Sequence, residues 1–456
     1  MASSRKRPEA PMNAPVVVPA VAPAVAALLD RHAGLKDRLP GARVAWVEAW
    51  RHRGAEAFRA GGFPTKRVEA WKYTDLSPLR ETRFEEALVA TDAHPALPAE
   101  AGGEEARIVL LDGRFRADLS QLDTLPDGVR IDSLAALLGV GDAALRDILG
   151  AIAPADLPLA GLNAALAEDG VVIRVAPGVA AGRVRIVSLG TAPDGHAVAF
   201  HPRNLVVLGA GASLTLLDGA HGAGKGVYWH NAVTEIALGE GARLTHVRLQ
   251  DEARDAFHTA LVAVRVAAKA EYDSFTLVRG ARLARNEVHA VLAGPKAALH
   301  LNGAQLVDGD RHADTTTVID HAAPECESNQ TVKTVLAGRA RGVFQGKIHV
   351  RQVAQKTDGY QMNQALLLSP EAEINAKPQL EIYADDVKCS HGATVGELDH
   401  DQLFYLRSRG IPEVEAKSML VQAFLTDAVS LVSDEALRET LLAATDAWWD
   451  GVEHPA

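Results

Sequence analysis

The stretch Leu208-Gly-Ala-Gly-Ala-Ser-Leu214 returns as Leu238-Gly-Glu-Gly-Ala-Arg-Leu244 and again as Val266-Ala-Ala-Lys-Ala-Glu-Tyr272. Each copy sets small turn-forming residues between two large apolar ones, a phrase that closes one strand and opens the next. Looser copies start at Leu292, Leu336 and Leu368, so the steps are 30, 28, 26, 44 and 32 residues. Repeats of this period mark stacked supersecondary units. From about Gly170 onward helical periodicity disappears, and short Val/Leu/Ile strands alternate with Gly/Ala turns. With no helices between the strands, βαβ units are excluded, leaving a β-sandwich or a β-solenoid. A sandwich gives no reason for one turn phrase to recur, whereas stacked coils do. The reading is a mainly β protein with a parallel β-helix core over residues 159–393. Asn302, Asn329, Asn363 and Asn375 are assigned to its corners, because Asn tolerates the left-handed conformation.

On the N-terminal side, Arg5-Lys6-Arg7 followed by the apolar run Ala14 to Leu29 imitates a secretory signal. Pro11, Pro15, Pro19 and Pro23 deny it a continuous helix, so residues 1–22 are expected to be a disordered tail. An N-terminal helical and mixed domain, 23–158, follows. Ala42 to Ala60 carries Val44, Trp46, Val47 and Trp50 at helical spacings and stops at Gly61-Gly62-Phe63-Pro64. Arg67 to Leu76, with Trp71 and Tyr73, is either an anchor tucking a loop onto the helices or a binding element. Ile108 to Leu111 reads as a strand entering an Asp112-Gly113 turn, and Leu134 to Leu149 as a helix.

On the C-terminal side, residues 394–456 return to helical patterning. Asp399 to Arg409 is a short helix stopped by Gly410. After Pro412, Met419, Leu420, Ala423 and Phe424 form an apolar stripe. Ser433 is a candidate cap for a last helix carrying Leu437, Leu441, Leu442, Trp448 and Trp449. This domain could cap the solenoid's open end or serve as a docking module.

At 456 residues the chain exceeds what one core usually supports. Hydrophobic residues at 48% and charged residues at 23% describe an ordinary soluble protein, and a net charge of -11 argues against a nucleic-acid partner. Two cysteines make no disulfide framework, and no apolar run reaches the roughly 18 residues of a membrane span. A cytoplasmic protein without a membrane partner is expected.

Walker A, Gly-rich dinucleotide and HExxH motifs are absent from the sequence. Asp308, Asp310 and Asp314 form a candidate carboxylate set for carbohydrate cleavage, a reading opposed by an aromatic content of 5%. Cys326, between Glu325 and Glu327, reads as structural, with a thiol pKa raised by its acidic neighbours. In Asp385-Asp-Val-Lys-Cys389-Ser-His391-Gly-Ala-Thr-Val-Gly396, the Cys389 thiol and the His391 imidazole share one face of an extended segment. The pair suits a soft metal or an iron–sulfur species but cannot close a coordination sphere. Taken singly, a cysteine is as readily a small buried hydrophobe.

Three segments carry a resemblance to the SufB/SufD family of iron–sulfur cluster assembly proteins: Glu69 to Thr74 (EAWKYT), Asp385 to Gly396, and Tyr405 to Ile411 with the helix after it. With the solenoid between them, the resemblance spans roughly residues 60 to 430. The first segment and the length are more similar to the SufD branch than to SufB. The resemblance implies a right-handed parallel β-helix flanked by N-terminal and C-terminal helical domains. It further implies a non-catalytic scaffold, pairing with a SufB-like paralogue through the β-helix and with a SufC-like ATPase through its C-terminal helices. A transient iron–sulfur cluster would share ligands between subunits, with His391 as this chain's ligand and Cys389 as a second. Arg407, Arg409, Gly410, Met419 and Phe424 fall on the implied ATPase surface. Two alternatives stay open: a SufB-like or homodimeric scaffold carrying the full site, and a carbohydrate-cleaving β-helix.

Overall fold

The computed structural model describes residues 22–87, 94–98, 102, 105–192, 195–224 and 226–452. The expected tail lies, but for Ala22, outside the described residues.

The core is a β-solenoid of two stacked sheets with 11 and 10 strands. Every strand of the solenoid proper pairs in parallel with the strand one coil away. In the first sheet the run is Tyr228–Leu238, Phe257–Val266, Leu283–Leu292, His312–His321, Arg341–Val350 and Glu373–Ile382. In the second it is Ser213–Gly222, Arg243–Asp251, Glu271–Val278, Ala298–Val307, Glu327–Leu336, Asp358–Leu367 and Lys388–Gly396. Equal register puts like residues in columns. Ile236, Val264, Ala290, Ile319 and Ile348 lie one above another inside the coil, facing Leu214, Leu244, Tyr272 and Leu299 from the other sheet. Burying such columns is what holds one coil on the next.

The repeat seen in the sequence is the corner from first sheet to second. Gly211, Gly241, Lys269, Lys296, Glu325 and Lys356 occupy the same place in six successive corners, all with φ between 57° and 67°. Each donates its backbone N–H to the next corner's backbone: Gly211 to Glu240, Gly241 to Ala268, Lys269 to Pro295, Lys296 to Pro324, Glu325 to Gln355 and Lys356 to Asp386. The looser copies at Leu336 and Leu368 are therefore a slip of phase. Leu336 ends a strand of the second sheet and sits at the opposite corner, while the true continuations are His321 and Val350. The anomalous 44-residue step is this change of corner. The asparagines were misplaced too: Asn302, Asn329, Asn363 and Asn375 all lie within strands. Asn363, inside the coil, donates its side-chain amide to the Val332 carbonyl.

Both outer faces of the solenoid are covered, which is why Phe257–Val266 is buried on both sides instead of alternating. The N-terminal helices Pro23–Leu35, Ala45–Gly61 and Pro158–Leu166 cover the first sheet, where Phe63, Phe84 and Leu159 pack on Trp229, Phe257 and Leu283. The expected Leu134 to Leu149 helix is broken into Leu134–Val140 and Ala143–Arg146, because Gly141 turns left-handed (φ 68°) and Asp142 caps the second piece. Asp112 and Gly113 form the expected hairpin turn, with φ of 46° and 77°. The helices Glu413–Val429 and Glu435–Gly451 lie on the flank of the second sheet, with Val421, Leu425, Trp448 and Trp449 against Val247, Phe275, Leu306 and Val335. Asp434, not Ser433, caps the last helix, accepting from the Leu437 N–H at 3.1 Å.

Candidate functional site

The two strands that close the stack, Glu373–Ile382 and Lys388–Gly396, have no strand on their outer side among the described residues. A sheet edge presents unpaired N–H and C=O groups and is a template for pairing. Beside it Tyr383 and Val395 are exposed. The C-terminal helices, lying on the flank, leave this edge uncovered.

Cys389 and His391 sit on the final strand, in register with Gly359 and Gln361 of the strand below. Their columns point into the coil. Beneath Cys389 run Gly359, Ser328 and Leu299; beneath His391 run Gln361, Gln330 and Leu301. In every lower coil these positions are buried, but in the last coil no strand among the described residues is stacked above them. Cys389 is half-buried against the apolar interior and His391 is exposed. The columns thus deliver a thiol and an imidazole to the open end of the solenoid. Gly359 leaves room beneath the thiol, since a Cβ there would lie 3.3 Å from Cys389 Sγ. Burial pushes the Cys389 thiol pKa up, and Asp358 adds to the shift against the Gly359 backbone hydrogen bond. Binding a metal species there requires loss of that proton. Two donors fit a shared site and fall short of a closed one.

The interior leading to this end is unusually polar. Arg248 donates to Asn286 at 3.1 Å, Gln330 to Thr317 at 3.0 Å, and His321 Nε2 lies 2.8 Å from Ser328 Oγ. These were not legible in the sequence, because which residues face inward depends on a register that only the stacked coils reveal.

The segment around Trp71 is an anchor, packed in one apolar cluster with the N-terminal helices and tied to the solenoid by polar contacts. Arg285 stacks its guanidinium 3.8 Å from the centre of the Trp71 ring, Gln345 donates to the Ala70 carbonyl at 3.0 Å, and Glu69 pairs with Lys377. Thr74 donates to Asp314, which also holds Arg285 and accepts from Thr316 at 2.8 Å. Asp314 is thereby committed to structure. Asp308 is likewise held by Arg311 and Arg254. With two of its three carboxylates tied up in ion pairs, the carbohydrate-cleaving reading loses its acids. Cys326 is buried at a corner with its thiol donating to the Gly294 carbonyl at 3.3 Å; burial raises its pKa, and Glu325 adds to the shift.

Of the residues expected on the ATPase surface, Arg407, Arg409, Gly410 and Met419 are exposed. They accompany Phe404, 73% exposed, and Tyr405, over which Arg409 stacks at 5.1 Å. Phe424 differs: it is partly buried against the second sheet, under the Lys333 ammonium at 4.4 Å, which also pairs with Asp427 at 2.8 Å. A cleft of about 700 Å³ opens beside them, lined by Leu368, Val395, Leu403, Arg407, Glu413 and Lys417 among others. No helix among the described residues is long and apolar enough to cross a membrane.

The family pattern described as "SUF system FeS cluster assembly, SufBD core domain" matches residues 190–424, and "SufBD protein N-terminal region" matches 28–184. An iron–sulfur cluster assembly SufBD family protein of Synechocystis is 32% identical over 81% of this chain and 84% of its own length. The iron–sulfur cluster assembly protein SufD of Escherichia coli is 32% identical over 84% of this chain and 88% of its own. A chloroplastic protein of Arabidopsis thaliana is 29% identical, covering 85% of this chain and 83% of its own length.

Proposed function

The chain belongs to the SufBD family of iron–sulfur cluster assembly proteins, and on that premise we propose that it is a non-catalytic, SufD-like scaffold subunit. It pairs through the open end of its solenoid with a SufB-like paralogue and through its C-terminal helices with a SufC-like ATPase. The nascent cluster is cargo, held between subunits. His391 supplies one ligand from this side, and Cys389, once deprotonated, a second.

The observation that carries this reading is the terminal coil: columns buried in every lower rung end there as an exposed imidazole and a half-buried thiol beside an unpaired sheet edge. An exposed edge of this kind is matched by another sheet, and a half-complete donor set by a second one. The exposed Phe404, Tyr405, Arg407, Arg409 and Met419 support the ATPase assignment, a mixed apolar and basic patch being suited to a transient partner.

The test is anaerobic reconstitution with the SufB-like and SufC-like proteins. His391→Ala is expected to leave the complex assembled and to lower bound iron and sulfide at least about tenfold, since even the loss of a ligand's hydrogen-bond partner costs about 10–100-fold in metal affinity. Wild-type cluster content in that variant overturns the ligand assignment. Failure of the wild-type chain to co-purify with either partner overturns the scaffold reading.

A further inference from the structure

Far from the open end, at the opposite corner of the coil, three side chains converge that the scaffold reading does not use. His230 and His258 stand in register on adjacent strands of the first sheet, their rings 5.1 Å apart and nearly perpendicular. Glu252 comes from the corner just past Arg243–Asp251 and reaches between them. Its Oε1 lies 3.0 Å from His230 Nδ1 and its Oε2 2.6 Å from His258 Nδ1, and Gln250 donates to Oε2 at 3.1 Å. One donor atom from each of the three lies within 4.8 Å of the others. The trio is sealed, with His258 3% exposed and Glu252 and His230 4% each.

We propose that His230, Glu252 and His258 form a buried binding site for a first-row divalent cation of the Zn²⁺ or Fe²⁺ class. Two imidazoles and a carboxylate without a thiolate are the donor set that such borderline ions take. Metal–ligand bonds of about 2.0–2.2 Å place neighbouring donors roughly 3–3.5 Å apart, a spacing that the three side chains, with donor atoms within 4.8 Å of one another, reach by small adjustments.

A second observation points the same way. Buried His258 has the Glu252 carboxylate beside its Nδ1, and its Nε2 has no hydrogen-bond partner among the described residues. A buried imidazole in that condition calls for a partner. Beside it lies a cavity of about 30 Å³ lined by His230, His258, Asp218, Arg248 and Gln250 among others, enough for a water-sized fourth ligand. Such a site would pin two strands and a corner together inside the stack, independently of cluster assembly.

The test uses the full chain, produced in Zn²⁺-supplemented medium or anaerobically with Fe²⁺, passed over a chelating resin and analysed for metal by mass spectrometry. About one equivalent per chain is expected in the wild type, and the same in His391→Ala and Cys389→Ser, which touch only the terminal coil. His230→Ala/His258→Ala and the near-isosteric Glu252→Gln are expected to lose it at least tenfold. Production with Co²⁺ should give ligand-field absorption without thiolate charge transfer. Less than a tenth of an equivalent in the wild type overturns the proposal. So does full retention in Glu252→Gln, or a cobalt spectrum with a thiolate band that Cys389→Ser abolishes. Because the His391 and Cys389 variants are scored separately, failure here leaves the scaffold reading standing, and the converse holds.

Discussion

His321 shows how a single buried side chain sets the pH response of this solenoid. Its Nε2 is satisfied by Ser328, its Nδ1 has no partner among the described residues, and burial, against the opposing pull of Asp320, lowers its pKa to about 4. His201 is pushed down to about 3 by burial, with Arg31 and His230 adding to the shift. In the unfolded chain both return to about 6.5, so as pH falls the unfolded state takes up protons first. Their stabilising effect is complete above about pH 6.5 and is lost progressively toward about pH 4 for His321 and about pH 3 for His201. For His321 alone the loss amounts to about 3 kcal/mol. Urea unfolding at pH 7 and pH 4 should therefore show a clear acid destabilisation, and His321→Gln should flatten it even if it lowers the baseline. An unchanged pH slope in that variant would remove the explanation. At this scale the common face of Cys389 and His391 was legible early, because a spacing of two in an extended segment fixes it, and both do lie on the final strand. The His230–Glu252–His258 trio was not, because its members belong to adjacent coils and become neighbours only through register.

The elements are organised by their corners. Gly211 and Gly241 fill the left-handed position at no steric cost, while Lys269, Lys296, Glu325 and Lys356 hold the same φ with a Cβ present. Lys269→Gly should relieve about 1–2 kcal/mol of backbone strain and add part of it back as unfolded-chain entropy, for a net gain of about 0.5–1 kcal/mol. Gly241→Ala should cost about 1 kcal/mol through backbone strain alone, since a Cβ there meets no atom within 4 Å. Denaturant midpoints of the two variants decide it; opposite shifts are expected, and equal ones would mean the corner conformation carries little energy. The glycine copies made the repeat readable. Where lysine or glutamate took over, the phrase changed spelling while the backbone did not, which is why the period was lost after Leu292 and resumed at the wrong corner. That Phe424 packs in part on the second sheet was not legible for a related reason: the sheet flank it meets is distant in sequence.

As a whole molecule the protein is a stack with both flanks covered and one end bare. Tyr383 and Val395 are exposed there beside unpaired edges, so the chain isolated from any paralogue should associate with itself through this end. Sedimentation velocity at micromolar concentration is expected to show a dimer that Tyr383→Lys/Val395→Lys returns to monomer. A dimer indifferent to those changes would place the interface elsewhere. What the sequence alone determined was the kind of fold and that Cys389 and His391 share one face of a strand. A coil-length repeat of turn residues leaves a solenoid as the physical solution, and a spacing of two in a strand sets two side chains on one face. What only the tertiary structure decided was which residues meet: the phase of the corners, the polar interior, the Trp71 anchor on Arg285, and the bare end left when the last helices lie along the flank. Those depend on register and on which apolar surfaces find each other, and neither is written in any local stretch of the chain.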